Sequence, residues 1–126
     1  MSTQRKVLTT QEVADRFSKL AKENAFDKIQ DELFADNAAS IEPAGIPGLK
    51  SVQGKDAIKQ KSVEFQSQVE EMFGGYTGEP IVAGNFFSVA MGMDATMKGM
   101  GRMKMDEIAV YEVKDGKIVK EQFFFS

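Results

Sequence analysis

The most constraining feature of the sequence is the Asp115-Gly116 dipeptide, which interrupts a long β-rich stretch over residues 103–125. Asp-Gly between two β-rich runs is a strong signal for a β-hairpin. Two turns are compatible with it. A two-residue turn pairs Val113 with Ile118, whereas a three-residue turn pairs Val113 with Lys117.

The two turns differ in which side chains share a face of the hairpin. A slip of one residue moves every side chain to the other face, so the register with the better-sorted face should be the stable one. The three-residue turn leaves Lys120 and Gln122 outside. It collects on one face Glu107, Ala109, Tyr111, Val113, Val119, Glu121, Phe123 and Phe125. We therefore predict the three-residue turn.

That register places two acids, Glu107 and Glu121, on an otherwise apolar face. Glu121 would lie opposite Ala109, with Glu107 as its diagonal neighbour at roughly 7–8 Å between Cα atoms. Carboxylates this close disfavour double ionisation, which keeps one of them protonated near neutral pH as a general acid. Alternatively, one acid lies in water at the rim or pairs with an Arg or Lys. The sequence leaves both interpretations open.

Composition limits the chemistry that the chain can perform. The 126 residues predict a loose arm at 1–8 and a single domain at 9–126. There is no Cys and no His, so no thiolate metal site is possible and acid–base work must rest on Asp, Glu, Lys or Tyr. Six Met residues at 91–105 suit an adaptable apolar pocket better than a Cu(I) site. We expect no cofactor and no metal.

The same composition limits location and partners. The net charge of −3 comes from interspersed acids and bases, which argues against a nucleic-acid partner. No apolar run suits a signal peptide or a membrane span, so we expect a cytoplasmic protein with no membrane partner.

Hydrophobic periodicity predicts helices first and strands later. Thr9 and Glu12 have the spacing of a capping box at the start of a helix. The further predicted elements are a helix carrying residues 25–33, a strand at 38–42, a loop at 43–54, a helix at 55–73 ended by Gly74-Gly75, and a strand at 80–98, either continuous or divided by a bulge near Gly92. The fold class is α+β, with three helices packed on one face of a curved antiparallel sheet.

A row of alternating residues on the long strand predicts one wall of a cavity. Asn85 is the only hydrogen-bonding side chain in that row, so it either orients a ligand or ties down a bulge. Lys55, Lys59 and Lys61 fit a solvated helix face. The candidate ligand-binding residues are Phe17, Phe65, Asn85, Phe87, Met91, Met105 and Phe123.

Short motifs follow one another along nearly the whole chain, from Thr9 to Phe125. They are FADNA at 34–38, SIEP at 40–43, VQGK at 52–55, VAGNFF at 82–87, EIAVY at 107–111, DGKI at 115–118 and QFF at 122–124. With this order of elements the chain resembles the SnoaL-like proteins of the nuclear transport factor 2-like superfamily. The resemblance implies a cone-shaped α+β barrel of the cystatin-like kind that dimerises through its sheet. This fold hosts isomerases, cyclases, dehydratases and non-enzymatic binders.

The resemblance to the ketosteroid isomerase branch suggests roles for single residues. Glu42 before Pro43 matches the position of that branch's carboxylate base. Its oxyanion tyrosine falls at Phe17 and its second acid near Ala109, so both donors are absent. Tyr111 could supply a different donor.

These residues lead to three hypotheses about function. The first is proton transfer next to a carbonyl of a small apolar or aromatic molecule, with Glu42 as base and Glu107 or Glu121 as acid. The second is a non-catalytic carrier or sensor that uses the same pocket. The third is a dimerising interaction module with a filled barrel.

Overall fold

Three helices lie on one face of a seven-stranded curved sheet in the computed structural model, which describes residues 7–44 and 49–126. The predicted arm at 1–8 lies outside this part of the chain except for Val7 and Leu8. The elements are α1 (Thr10–Lys22), α2 (Phe26–Leu33), β1 (Phe34–Ile41), β2 (Val52–Gln53), α3 (Lys55–Ser67), β3 (Val69–Thr77), β4 (Ile81–Ala83), β5 (Phe86–Met97), β6 (Gly101–Lys114) and β7 (Lys117–Phe124).

The sheet is mixed and open. Its strand order is β2-β1-β7-β6-β5-β3, with β4 paired to one end of β5. The α+β class with three helices on a curved sheet is confirmed, but a purely antiparallel sheet and a closed barrel are wrong. Because a tight hairpin ties β7 to β6, its other edge is left for β1, which runs parallel to it and places Ser40 opposite Glu121.

Helix α1 begins as predicted. The Thr9 hydroxyl accepts a hydrogen bond from the Glu12 amide, and the Glu12 carboxylate accepts one from the Thr9 amide, which completes the capping box. The apolar stripe of this helix, at spacings of four and three residues, is formed by Val13, Phe17 and Leu20 and is buried against the sheet. This stripe makes α1 the main cover of the hydrophobic core.

The third helix is shorter than predicted. It ends at Ser67, and the following residues form strand β3, which contains Gly74 and Gly75. Residues 69–77 include Val, Phe, Tyr and Thr, which favour a strand once β5 offers a pairing edge. A Cβ at Gly75 would lie 2.9 Å from the Gly92 carbonyl oxygen, so glycine fits the close approach of the two strands.

The predicted strand at 80–98 is a hairpin of β4 and β5 with its turn at Gly84-Asn85. The side chain of Asn85 is therefore exposed at a turn, and the prediction that it faces a pocket is wrong. Its backbone carbonyl accepts a hydrogen bond from the Val113 amide at 2.8 Å, which ties the turn to β6.

The hairpin between β6 and β7 has a two-residue turn, so the predicted three-residue turn is wrong. Lys114 pairs with Lys117, and Asp115 and Gly116 both have positive φ, at 51° and 77°. This is the geometry of a type I′ turn, whose twist matches that of the flanking strands.

A bulge in β7 then restores the predicted faces. Val113 pairs with Ile118 but Glu112 pairs with Lys120, so Val119 is an extra residue on β7. Beyond it Tyr111 lies opposite Glu121, which keeps both on the core face as predicted. The prediction that Glu121 lies opposite Ala109 is therefore wrong. Since Glu107 is four residues from Tyr111, it is not the diagonal neighbour of Glu121.

No helix in the described ranges is both long enough and apolar enough to cross a bilayer.

Candidate functional site

One end of the helix-covered face of the sheet is filled by aromatic packing. The rings of Phe17, Phe87 and Tyr111 lie at centroid distances of 4.8 to 5.4 Å from one another, and each residue is at most 2% exposed. Burial, with Glu121 and Glu107 nearby, holds the pKa of Tyr111 well above its usual value. The structure thus places three predicted site residues in the packed core, where they support the site without lining an opening.

The other end of the same face is only half-buried. Met91 lies opposite Glu107 on β5 and β6, and Met93 lies opposite Met105 in the next pair on the same face. All of these side chains are partly exposed, as is Phe123 on β7. This end of the face, which we call the open end, brings together an acid and several of the predicted ligand-binding residues. Phe65, also half-buried, lies on α3, which borders the sheet.

A lysine is at the centre of the polar groups at this end. The Lys61 ammonium donates hydrogen bonds to the Ser40 hydroxyl at 2.7 Å and to the Glu42 carboxylate at 3.0 Å. The Lys61 and Glu42 side chains are 15% and 9% exposed. Ser40 also hydrogen-bonds Glu121, and both are buried. We call Lys61, Ser40, Glu42, Glu107 and Glu121 the Lys61 cluster.

Three elements hold every member of the Lys61 cluster except Glu107, which lies on β6. The parallel pairing of β1 and β7 sets Ser40 opposite Glu121. Glu42 follows Ser40 by two residues, so it lies on the same side at the end of β1. Helix α3 covers these strands, and its Lys61 lies one turn after the fully buried Ile58.

The prediction that Lys61 belongs to a solvated helix face is wrong. Lys59 pairs with Asp31 and its side chain is 38% exposed, whereas the Lys61 side chain is 15% exposed and points between helix and sheet. The signal was present in the sequence, because residues three and four apart share a helix face and Lys61 lies between Ile58 and Phe65 in that spacing.

Two acids of the cluster titrate near neutral pH. Burial, with a smaller contribution from Glu42, raises the pKa of Glu107 to about 7 against the opposing charge of Lys61. Burial also raises the pKa of Glu121 to about 7, opposed by the hydrogen bond from Ser40 and by Lys61. A carboxyl with a pKa near the working pH can both donate and accept a proton.

Glu107 and Glu121 differ in how they are held. Glu121 is 6% exposed and bonded to Ser40. Glu107 is half-buried, and within the described part of the chain no hydrogen bond or ion pair engages it. Glu107 is therefore the acid best placed to exchange a proton with a bound molecule. Across residues 7–44 and 49–126, no group of three or more Asp or Glu side chains is arranged to hold a metal ion.

A cleft of about 350 Å³ on the opposite face of the sheet was not expected from the sequence. Gly92 and Asp94 on β5, paired with Asp106 and Lys104 on β6, form its floor. The Tyr76 hydroxyl donates to the Asp106 carboxylate at 2.7 Å, so the ring lies over Gly92. The acids of the Lys61 cluster do not line this cleft.

Comparisons with known proteins agree on the fold and on a family. A family model described as a SnoaL-like domain matches residues 8–125. No curated protein matches the sequence. A solved structure from Mesorhizobium loti, described as a candidate SnoaL-like polyketide cyclase, is 35% identical and has a TM-score of 0.87. The alignment covers 94% of this chain and 100% of that protein.

More distant solved structures share the fold alone. A candidate isomerase from Bacillus subtilis is 19% identical with a TM-score of 0.71, and the alignment covers 94% of this chain and 90% of that one. A protein with a cystatin-like fold from Xanthomonas campestris is 11% identical with a TM-score of 0.77, at 94% and 92% coverage.

Proposed function

Because the chain belongs to the SnoaL-like domain family, we propose that it binds a small apolar or aromatic carbonyl compound at the open end and moves a proton next to the carbonyl. The observation that carries this proposal is Glu107, a half-buried acid with a pKa of about 7 and no hydrogen-bond partner among the described residues. The Mesorhizobium protein is described as a candidate polyketide cyclase, and cyclisation of a polyketide by carbon–carbon bond formation begins with loss of a proton next to a carbonyl.

The apolar groups around Glu107 suit this ligand class. Met91 lies directly opposite Glu107, and Met105 and Phe123 share the same face. Thioether and aromatic side chains adapt to flat apolar molecules, while burial keeps the acid poised between its two protonation states. The proposed proton transfer needs no cofactor, because the Glu107 carboxyl itself carries the proton.

The proposed step is a proton transfer that Glu107 both begins and completes. The ionised carboxylate takes a proton from the carbon next to the carbonyl, and the C–H electron pair becomes the new C=C bond of an enolate. The protonated carboxyl then returns the proton to a carbon of that enolate. Glu42, which the resemblance assigned as base, is held by Lys61 at 3.0 Å, so in this proposal it is part of the support.

Deuterium exchange tests the proposed step without knowledge of the natural substrate. Small aromatic ketones and cyclic enones are incubated with the protein in D2O, and loss of the signal of the proton next to the carbonyl is followed by NMR. We expect Glu107→Gln to slow this exchange by at least about 100-fold, the lower end for general acid–base catalysis. The exposed Glu71→Gln serves as the matched control. Equal exchange rates in wild type and Glu107→Gln would overturn the proposal.

A non-catalytic carrier or sensor is the second candidate. Glu42 and Glu121 both form bonds within the cluster, so neither is available to exchange a proton with a ligand, and this favours a carrier or sensor. Ligand-dependent chemical-shift changes around Met91 and Phe123 without any exchange would select it. The third hypothesis, a filled interaction module, is supported only by the aromatic stack at the other end of the face.

We also propose that two copies associate through the face of the sheet that carries no helices. Ile108 and Phe124 are paired on it and are 52% and 49% exposed, and Phe86 on the same face is 49% exposed. Exposed apolar patches of this kind are typical of interaction sites. A cytoplasmic location is part of the proposal, since a chain without Cys suits a reducing compartment.

A further inference from the structure

We propose that Lys61 is the positioning residue of this site: its ammonium group fixes Glu42 directly and Glu121 through Ser40, which leaves Glu107 as the carboxyl of the cluster that exchanges protons with a ligand. The inference rests on the proposed function for the role of Glu107. The geometry of Lys61 itself carries the rest, and it assigns a role to a side chain predicted to lie on the solvated face of its helix.

The contacts of Lys61 determine its orientation. An ammonium group has three N–H donors and no acceptor. One donor reaches Ser40 at 2.7 Å and one reaches Glu42 at 3.0 Å. The nitrogen also lies 5.6 Å from the centre of the Phe123 ring, within the range of a cation–π contact. A long, flexible side chain is thereby held in one place at the inner surface of α3.

Ser40 passes this constraint on to Glu121. A serine hydroxyl has one O–H to donate and can accept at its oxygen. Because the Ser40 oxygen accepts from Lys61, its own hydrogen is directed to another acceptor, and the bonded carboxyl of Glu121 is that acceptor. Ser40 has no solvent exposure, so water does not compete for either bond.

Charge supports the same assignment. Among the residues that the structure describes, the ionisable groups facing Lys61 are Glu42 at the end of β1, Glu121 on β7 and Glu107 on β6. The β5 residue beside Glu107 is the uncharged Met91. One cation therefore balances three acids in a poorly solvated site. Lys61 contacts Glu42 directly and Glu121 through one hydroxyl, but makes no hydrogen bond to Glu107.

Titration of the side-chain carboxyls by NMR, in the ligand-free protein, tests the proposal. In Lys61→Met we expect the pKa values of Glu107 and Glu121 to rise above the value of about 7 that they have in the wild type, because the nearby positive charge is gone. Lys61→Arg should restore them. The control is Lys59→Met, two residues away on the same helix, where the ammonium pairs with Asp31; it should leave both pKa values unchanged.

Two results would overturn the proposal. One is that Lys61→Met and Lys59→Met leave both pKa values where they are in the wild type. The other is that Lys61→Met and Lys61→Arg move them equally, which would assign the effect to packing and not to charge. If Lys61→Met does not fold, the double variant Lys61→Met/Glu42→Gln removes the unpaired acid. In that variant the pKa of Glu121 should still rise, because Lys61 acts on it more strongly than Glu42 does.

Deuterium exchange separates this inference from the proposed function. If both pKa values respond to Lys61 as expected but no variant exchanges protons on a ketone, the proposed reaction fails and Lys61 keeps its positioning role. If exchange occurs, its pH profile should move upward in Lys61→Met together with the pKa of Glu107. The same pH profile of exchange in wild type and Lys61→Met would contradict the positioning role of Lys61 but not the proposed reaction.

Discussion

At the scale of single residues, the cluster contains acids in two different states. Glu42 is paired with a cation, whereas Glu107 and Glu121 are buried acids whose pKa values are raised to about 7. Burial is the first cause of both rises, so each acid favours its neutral form in the folded protein. The folded state therefore binds these protons more tightly than the unfolded chain does.

This difference predicts how stability depends on pH. Stability from a raised pKa is fully present below the unfolded value of 4.5 and is lost as pH rises through about 7. The wild type should therefore be less stable at about pH 9 than at about pH 5. Glu107→Gln, which cannot ionise, should recover about 1–3 kcal/mol of the free energy of unfolding at the higher pH.

Urea denaturation of both proteins at the two pH values measures this effect. Glu71→Gln is the control, because that residue is an exposed glutamate on β3. A wild type whose urea midpoint does not fall at the higher pH would show that Glu107 is well solvated.

At the scale of elements, β3 depends on one glycine in its neighbour. A Cβ at Gly92 would lie 2.1 Å from Cε1 of Tyr76, so the ring could not remain over β5. We expect Gly92→Ala to push the ring aside and to cost about 1 kcal/mol, the low end for overpacking, because the ring is half-exposed and can swing out.

The Tyr76 hydroxyl reports whether the ring has moved. Its hydrogen bond to Asp106 is the main cause that raises the pKa of Tyr76. In Gly92→Ala that pKa should fall toward its ordinary value, measured by the absorbance of the tyrosinate. Gly74→Ala is the matched control on β3, because nothing lies within 4 Å of its Cβ position. An unchanged titration of Tyr76 in Gly92→Ala would contradict this packing.

Elements with strong local signals could be predicted from the sequence, and those that depend on a distant partner could not. The capping box of Thr9 and Glu12 acts within four residues and marked the start of α1 correctly. The apolar spacing of residues 69–73 continues that of α3, and this stretch forms a strand because β5 pairs with it. The bulge at Val119 could not be predicted for the same reason, because it depends on the pairing of Tyr111 with Glu121 across two strands.

The candidate site was half predictable for a related reason. Alternation along β6 and β7 placed Glu107 and Glu121 on the inner face, and Pro43 marked Glu42 at a strand end. Lys61, the residue that joins the acids, was harder to predict. Its helix carries two other lysines, and only its spacing from Ile58 and Phe65 distinguishes it from them.

At the scale of the whole molecule, the helix-free face of the sheet predicts the oligomeric state. Ile108→Glu would place a charge in the centre of the apolar pair with Phe124 and should convert a dimer to a monomer. Light scattering coupled to size-exclusion chromatography measures the mass of each variant. Val63→Glu is the control, since Val63 is 62% exposed on α3. A wild type that stays monomeric at high concentration would refute this association.

The position of β7 has a consequence for how the chain acquires its structure. This strand lies in the interior of the sheet, between β1 and β6, although it is the final strand along the chain. During synthesis β1 leaves the ribosome early, and its parallel partner follows about 80 residues later in the chain. Until Lys117–Phe124 emerges, the nascent chain holds two half-sheets that no strand pairing joins, with β6 presenting an unpaired edge. Folding is therefore expected to be late, slow and largely all-or-none, and the Ser40–Glu121 contact forms only in that last event.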